Sequence, residues 1–179
     1  MTQPAVPDSA DWQRRWTIDA GSVTIRPVTR RLAHDVLDGG PSTREFEEGS
    51  LHARLPQAMD IAIRDISSGA AAALPTVWLI VRTADGRILG DLGTHGPPDS
   101  QGCVEIGYSL APSARGQGIG TAAVAAFVRR LAQEPGIQRI TAVTGTQNTA
   151  SRLLLERQGF HHTDTLPDTD EVRYTRTLG

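Results

Sequence analysis

The sequence predicts a single α+β domain built on a mixed, mostly antiparallel β-sheet. Its 179 residues are enough for one hydrophobic core and too few for two comfortable ones. Residues 76–96 contain two apolar runs around Asp85-Gly86, which is a strong signal for a hairpin and an antiparallel pair. Residues 103–145 pass from a strand through a glycine-rich loop and a helix to another strand. Such a crossover produces a parallel pair of strands.

Hydrophobic periodicity and turn residues predict the remaining elements. Residues 1–15, rich in Pro, Asp, Ser and Gln, are predicted to form a flexible N-terminal arm, and residues 16–179 a single domain. Pro56 predicts a break or kink within the long helical pattern of residues 43–66. Helices are predicted at residues 29–38, 43–66, 120–134 and 148–160, and strands at 22–28, on both sides of the 76–96 turn, and at 103–112, 137–145, 160–166 and 171–178.

Composition and charge exclude several classes of protein. The formal net charge is −2, which gives no general attraction for nucleic acid or for an anionic membrane surface. All 18 basic side chains are arginine, so no lysine is present to act as a base or to anchor a phosphate. Cys103 is the single cysteine and cannot form an intrachain disulfide. The sequence shows neither a signal-like N-terminus nor an apolar run near the ~20 residues that span a bilayer, which predicts a soluble cytoplasmic protein.

The segment SARGQGIG, residues 113–120, places three glycines in five positions after an arginine, between a predicted strand and a predicted helix. Glycine N–H groups can approach an anion closely, and a helix N-terminus adds unpaired N–H groups and the positive end of its dipole. The alternative is a tight turn in which glycine only relieves strain. A P-loop requires a lysine. A dinucleotide fold requires G-x-G-x-x-G and an acidic residue about 20 positions on, whereas the spacing here is G-x-G-x-G and the nearest acid, Glu134, ends a helix.

The residues around this loop resemble the GNAT superfamily, the acyl-CoA-dependent N-acetyltransferases. Arg115-Gly116-Gln117-Gly118-Ile119-Gly120 matches the signature [QR]-x-x-G-x-[GA], and EIGYSLAPSARGQGIGTAA is similar to the family's fourth strand, pyrophosphate loop and third helix. NTASRLLLERQGF is similar to the helix that follows. The resemblance covers roughly residues 20–178, and the branch it resembles is that of the ribosomal-protein N-terminal acetyltransferases. It implies a GNAT fold, with a central sheet splayed between its fourth and fifth strands and helices on both faces.

The resemblance also implies where acetyl-CoA, the co-substrate, would bind. In the family, pantetheine lies between the two splayed strands and bonds to exposed backbone of the first, and pyrophosphate lies on the amides of the loop. Asparagine at the start of the next helix typically reaches the pantetheine arm, and the arginine one turn later could reach a CoA phosphate. The residues expected to bind the co-substrate are Tyr108, Ser109, Leu110, Arg115, Gly116, Gln117, Gly118, Ile119, Gly120, Thr121, Asn148 and Arg152.

Two side chains are candidates for catalysis. Strand alternation puts Glu105 on a face with small or polar neighbours, and related enzymes often carry a glutamate near this position that acts as base directly or through water. The alternative is that Glu105 is a surface-facing strand residue that only solvates the sheet. Many GNAT enzymes have a tyrosine acid in the last helix, where this chain has Leu155. In the ribosomal-protein branch the helix serine has been proposed as the acid, and that serine is Ser151 here, which could instead cap the helix. The same helix is predicted to turn inward Ala150, Leu153 and Leu154.

The acceptor is predicted to be a primary amine, either an N-terminal α-amine or a small cationic amine, on a peptide or a small molecule. An α-amine has an ordinary pKa of ~7.7–8.0 against ~10.4 for lysine, so more of it is neutral near pH 7. Acidic side chains in the first helices and the last hairpin would suit a cation, although solvation explains exposed charges equally well. These residues are Asp35, Asp38, Glu45, Glu47, Glu48, Asp164, Asp168, Asp170 and Glu171.

Three further points stay open on the sequence. A non-catalytic acyl-CoA-binding or sensing domain is the alternative function, because the usual tyrosine is missing. Both a monomer and a homodimer are compatible with the sequence, since Trp12, Trp16 and Trp78 either mark an interface or pack against the sheet. The histidines show no spacing typical of metal ligands, so no metal site is predicted.

Overall fold

An open sheet of eight strands lies at the centre of the fold. A computed structural model describes residues 7–179. The strands are β1 (Ile18–Asp19), β2 (Val23–Pro27), β3 (Val77–Arg82), β4 (Ile88–Thr94), β5 (Cys103–Leu110), β6 (Arg139–Gly145), β7 (His161–Leu166) and β8 (Glu171–Thr177). Their order across the sheet is β1-β2-β3-β4-β5-β6-β8-β7. The β5–β6 pair is parallel and the other neighbouring pairs are antiparallel, which confirms the predicted mixed sheet.

Helices cover both faces of this sheet. The α-helices of residues 7–179 are α1 (Ala10–Trp16), α2 (Arg30–Leu37), α3 (Leu55–Ser68), α4 (Ile119–Leu131) and α5 (Thr149–Arg157). Helices α1, α4 and α5 pack on one face, and α2 and α3 pack on the other. Short 3-10 helices lie at Pro41–Glu45, Ala70–Ala72 and Pro112–Ala114. Over the described part of the chain, no helix combines the length and apolarity needed to cross a membrane.

Strand β3 separates the two hydrophobic cores. Trp78 and Ile80 face the core under α1, α4 and α5, whereas Leu79 faces the core under α2 and α3. Successive side chains of a strand point to opposite faces, so a strand buried on both sides is apolar throughout. The predicted inward residues of α4 are confirmed as buried: Val124, Phe127, Val128 and Leu131.

The predicted N-terminal arm is wrong for residues 10–15, because α1 begins at Ala10. Trp12 is buried and its indole N–H donates to the Ala71 carbonyl at 2.9 Å. Trp16 is also buried, with its ring 6.2 Å from Trp78 and the Arg130 guanidinium 4.2 Å above it. Burying two indoles removes a large apolar area from water, which outweighs the polar composition of the segment. The tryptophans therefore pack inside the chain, and residues 1–6 of the predicted arm lie outside the described residues.

The long helical pattern of residues 43–66 divides differently from the prediction. Its regular part is α3, and Pro56 lies in the first turn of that helix instead of kinking its middle. Proline suits the first turn because the N–H that it lacks would be unpaired there. The preceding residues form a 3-10 turn at Pro41–Glu45, after which the buried Phe46 bridges to Ile88 of β4.

Helix α5 is rotated relative to the prediction. Ala150 and Leu153 are exposed, and Leu154 is half-buried. The fully buried residue is Leu155, which belongs to the core below α1 and α4. The position where many GNAT enzymes carry a tyrosine acid therefore faces the interior in this chain.

Replacing Leu155 by tyrosine should destabilise the fold. Leu155 is 0% exposed, so the larger ring overpacks the core and should cost about 1–3 kcal/mol of unfolding free energy. Leu153→Tyr is the matched control on the same helix, because Leu153 is 45% exposed. Its cost should stay within about 0.5 kcal/mol. Urea denaturation measures both, and equal stability of the two variants would contradict the assigned rotation of α5.

Candidate active site

The site is organised by an opening between β5 and β6. Their pairing runs from Cys103 and Arg139 to Ile106 and Ala142 and ends there. Beyond that point β5 stays paired with β4 up to Leu110, and β6 stays paired with β8. The two strands therefore diverge while each keeps its outer partner.

The antiparallel ladder determines which backbone groups face this opening. The N–H of His95 donates to the Glu105 carbonyl at 2.8 Å, and the N–H of Ala111 donates to the Leu89 carbonyl at 2.7 Å. Hydrogen-bonding direction alternates along a strand, so the odd-numbered residues of β5 turn their backbone groups toward β4. Tyr108 and Leu110 consequently turn their N–H and C=O groups toward the opening.

This alternation corrects the expectation for the Ser109 backbone, whose N–H and C=O point to β4. Its hydroxyl donates to the Asp91 carboxylate across the strands at 2.5 Å. Asp91 Oδ1 also lies 2.7 Å from His52 Nε2. Ser109, Asp91 and His52 thus form one polar group on the α3 face of the sheet, which the sequence patterns did not predict.

The glycine loop leads directly into α4. Gly116 and Gly118 have φ values of +73° and +78°, in the left-handed region that favours glycine. Gly118 is the N-cap of α4, and no side chain caps that helix. A Cβ on Gly120 would come within 3.2 Å of Leu110 and Leu154, so this glycine allows the helix to approach the sheet closely. The amides of the first turn and the positive end of the helix dipole therefore lie beside the end of β5.

The charged and polar side chains around the loop form hydrogen bonds within the protein. Arg115 is exposed and holds the Leu110 carbonyl through Nε and Nη2 at 3.1 and 3.0 Å. The Gln117 amide donates to the Ser113 carbonyl. Asn148 accepts from the Ser151 N–H and so caps α5. The Arg115 contacts tie the loop to the end of β5.

Arg152 of α5 is held by hydrogen bonds to two neighbouring segments. Its Nε donates to the Tyr174 hydroxyl at 3.2 Å and its Nη1 to the Thr146 carbonyl at 3.0 Å. The bond to Tyr174, the charge interaction with the same phenol and nearby Glu156 raise the pKa of Arg152 further. The guanidinium is thus bonded to β8 and to the end of β6, and its contact with a CoA phosphate stays a prediction.

A cleft of about 860 Å³ lies on the α3 face of the opening. Side chains of α3 form one wall, and β4, β5 and the loop after β4 form the other. Apolar residues make up much of the lining, with His52, Arg54, Asp65, Asp91 and His95 as its charged or titratable members. A large, mostly apolar cleft with a few convergent polar groups is typical of a small-ligand or peptide site.

Glu105 contacts a histidine, His95, that lines this cleft. His95 Nδ1 lies 2.8 Å from Glu105 Oε1, and the two residues are direct cross-strand neighbours. Their pairing continues the β4–β5 register, in which Thr94 lies opposite Ile106. In the tight loop between the two strands, the Asp99 carboxylate accepts from the N–H groups of Gln101 and Cys103. Those hydrogen bonds hold the pKa of Asp99 below its usual value, with the Cys103 bond the larger cause. Sequence reasoning missed His95 because its pairing with Glu105 depends on this register.

A second hydroxyl pair lies on the opposite side of the opening. Tyr108 Oη and Ser151 Oγ are 2.8 Å apart and share a hydrogen bond. Burial raises the pKa of the Tyr108 phenol above its ordinary value, and the bond to Ser151 opposes this shift. Ser151, the predicted acid, therefore has a tyrosine beside it that comes from β5 and not from α5.

The predicted acidic rim does not surround the cleft. Glu47 lies 3.5 Å from both Arg82 and Arg87, and Glu45 pairs with Arg26 at 3.7 Å. None of the predicted rim residues lines the cleft in the described part of the chain, whose carboxylates there are Asp65 and Asp91. Within residues 7–179, no group of three or more His, Cys, Asp or Glu side chains is arranged to hold a metal ion.

A splayed α+β sheet with a glycine loop at its opening is the arrangement that the resemblance to the GNAT superfamily implies. The chain belongs to the acetyltransferase (GNAT) domain family, whose model matches residues 22–161, and this confirms the resemblance seen in the sequence. It is 25% identical over 143 residues to the uncharacterized N-acetyltransferase YjdG of Bacillus subtilis (strain 168), covering 80% of this chain and 79% of the relative.

Solved structures show the same fold. RimL, a ribosomal L7/L12 alpha-N-protein acetyltransferase in complex with coenzyme A, matches with a TM-score of 0.69 at 16% identity, over 90% of this chain and 98% of that one. A ribosomal-protein-S5-alanine acetyltransferase from Vibrio fischeri matches with a TM-score of 0.68 at 16% identity, over 90% and 96% of the two chains.

The phenol of Tyr108 should titrate above its ordinary pKa near 10. The chain has two tyrosines, so a Tyr174→Phe background isolates Tyr108 in an ultraviolet titration. Ser151→Ala in that background should raise this pKa further, because it removes the hydrogen bond that lowers it. Exposed Ser68→Ala is the control and should leave the titration unchanged. A titration at or below pH 10 would contradict the buried hydroxyl pair.

The sign of this shift also determines its effect on stability. A raised pKa means that folding favours the neutral phenol. The neutral phenol of Tyr108 therefore makes its full contribution to the free energy of unfolding below about pH 10. That contribution is lost as the pH rises through the folded-state pKa of Tyr108.

Proposed function

We propose that the protein transfers an acetyl group from acetyl-CoA to a primary amine, by direct attack of the amine on the thioester. The observation that carries this proposal is the opening between β5 and β6, which has the glycine loop on one side and the 860 Å³ cleft on the other. One substrate can therefore enter from each side and meet the other within the sheet.

The loop side suits the donor. The uncapped amides at the start of α4 and the helix dipole favour a pyrophosphate, and exposed Arg115 adds a positive charge. The C=O group of Tyr108 turns toward the opening, where the N–H of a pantetheine amide could donate to it. A backbone group can bind a pantetheine amide in this way without a dedicated side chain.

The cleft side suits the acceptor. Its volume of about 860 Å³ is within the range of small-ligand sites. Asp65 and Asp91 give it acidic groups that favour a cationic amine. We favour an N-terminal α-amine, because its lower ordinary pKa leaves more of it neutral and nucleophilic near pH 7. Two structural relatives also act on ribosomal proteins, one as an alpha-N-protein acetyltransferase.

Three groups around the opening match the needs of the reaction. The Tyr108 N–H can donate to the oxyanion that forms on the carbonyl. The Glu105–His95 pair, whose imidazole lines the cleft, can remove the amine proton. Ser151, hydrogen-bonded to Tyr108, can protonate the leaving thiolate. The sulfur thus leaves on the side opposite to the attacking amine.

Turnover of a defined amine panel tests the function. The panel holds tripeptides with a free α-amine, the same tripeptides with the N-terminus already acetylated, and the diamine putrescine. We expect release of free thiol and an acetyl mass gain on the free tripeptides, with none on the blocked ones. Acetyl-CoA binding without turnover of any amine would instead favour a binding or sensing domain, and absence of binding at millimolar acetyl-CoA would exclude both functions.

Gly118→Ala should weaken acetyl-CoA binding. An alanine pays about 1 kcal/mol to hold a left-handed conformation, and relief of that strain displaces the amides at the start of α4. A loss of about 1 kcal/mol corresponds to a dissociation constant roughly fivefold higher, measurable by calorimetry.

Gly86→Ala provides the matched control for this variant. Gly86 has a φ of +74° and, like Gly118, has open space where a Cβ would lie, but it belongs to the β3–β4 turn. It should lose similar stability without any change in acetyl-CoA affinity. Equal affinity of both variants for acetyl-CoA would contradict the assigned role of the loop.

A further inference from the structure

We infer that His95 is the catalytic base, the group that removes the proton from the attacking amine, and that Glu105 is its positioning residue. This inference rests on the proposed function and deepens it. The sequence pointed to Glu105 as the base, but the structure places an imidazole between that carboxylate and the cleft. His95 lines the cleft, whereas Glu105 is absent from its lining.

The contact with Glu105 determines which ring nitrogen carries the proton. An ionised carboxylate can only accept, so the 2.8 Å contact places a hydrogen on Nδ1 of His95. In the neutral ring, Nε2 is then left with an unshared electron pair. A carboxylate that orients an imidazole in this way also stabilises the imidazolium once the ring has gained a proton.

The free nitrogen lies at the opening. A Cβ built on Gly107 would be 2.8 Å from His95 Nε2, so the ring occupies the space that any larger residue would fill. Gly107 is the first residue of β5 after the last pair with β6, and the next residue is Tyr108 with its N–H turned to the gap. The imidazole nitrogen and the oxyanion donor therefore flank the same point of the sheet.

Other charged groups of the cleft are committed elsewhere or lie apart from His95. His52 and Asp91 are bonded to each other, and the Asp65 carboxylate accepts from the Thr76 hydroxyl at 2.6 Å. Arg54 lies at the start of α3. The His95 side chain is 63% exposed, so an amine or a bridging water can reach it without a rearrangement of the fold.

Protons and electrons balance over the two steps of the reaction. The amine nitrogen forms a bond to the carbonyl carbon, and its proton moves to His95 Nε2 while the carbonyl electron pair moves to oxygen beside the Tyr108 N–H. The carbonyl then re-forms, and the C–S bond breaks with its electron pair on sulfur. The thiolate takes a proton from the Ser151 hydroxyl, which regains one from solvent, and the imidazolium returns its proton to solvent. The products are an amide and a free thiol.

The test compares three variants on the free tripeptide that the wild type acetylates fastest. His95→Gln should lower kcat/KM by about 100-fold or more and remove the imidazole limb from its pH profile. Glu105→Gln should keep that limb and lower kcat by about 10-fold with little change in the KM for acetyl-CoA, because the ring is no longer held in the Nδ1–H form. His161→Gln is the matched control, since His161 is exposed on β7 and lies outside the cleft, and its profile should equal that of the wild type.

A second measurement does not depend on turnover. Nitrogen NMR of the histidine rings should show His95 in the neutral Nδ1–H form, and Glu105→Gln should weaken the preference of the ring for that form. An Nε2–H form in the wild type would overturn the inference even if the variants were poorly folded.

The possible failures are distinguishable. A His95→Gln variant within threefold of an active wild type would overturn the role of His95 alone. Loss of the low-pH limb of the kcat/KM profile in Glu105→Gln, together with near-normal kcat/KM in His95→Gln, would assign the base to Glu105 itself. A wild type that binds acetyl-CoA and acetylates no amine would overturn the proposed function and, with it, the catalytic role of His95.

Discussion

The end of hydrogen bonding between β5 and β6 is the constraint on which the rest of the site depends. A continuously paired sheet would satisfy the Tyr108 N–H within its ladder and leave no path between the two faces. Because β4 and β8 hold the outer edges of the two strands, the opening is a fixed gap and not a frayed end. This gap connects the start of α4 on one side of the sheet with the α3 cleft on the other.

Cross-strand pairing builds the polar chemistry around the opening. Along β4 and β5, His95 faces Glu105 and Asp91 faces Ser109, with the Gly93–Gly107 pair between them. Two imidazole–carboxylate contacts thus lie on one face of the sheet, separated by a stretch without side chains. The absence of a Cβ at Gly107 gives His95 its place at the gap. Glycine therefore serves here to admit a neighbouring side chain, whereas in the loop it permits a left-handed backbone.

Much of the fold could be predicted from local patterns, and the errors have specific physical causes. The hairpin at Asp85-Gly86, the glycine loop and the amphipathic α4 depend on residues close in sequence, and they were predicted correctly. Helix α1 was missed because its stability comes from two tryptophans that bury themselves against distant residues. The inward face of α5 was wrong because a short helix with apolar residues on several sides has no unique face until it meets the core.

The sequence by itself determined the class of protein through its resemblance to the GNAT superfamily, because that resemblance is carried by residues close together in the chain: the glycine loop, the strand before it and the helix after it. Only the tertiary structure determined which side chains come together in the site. It joined His95 to Glu105, placed Tyr108 beside Ser151 and turned Leu155 into the core. These relations depend on strand register and helix rotation, which are set by packing between segments that are far apart in the chain.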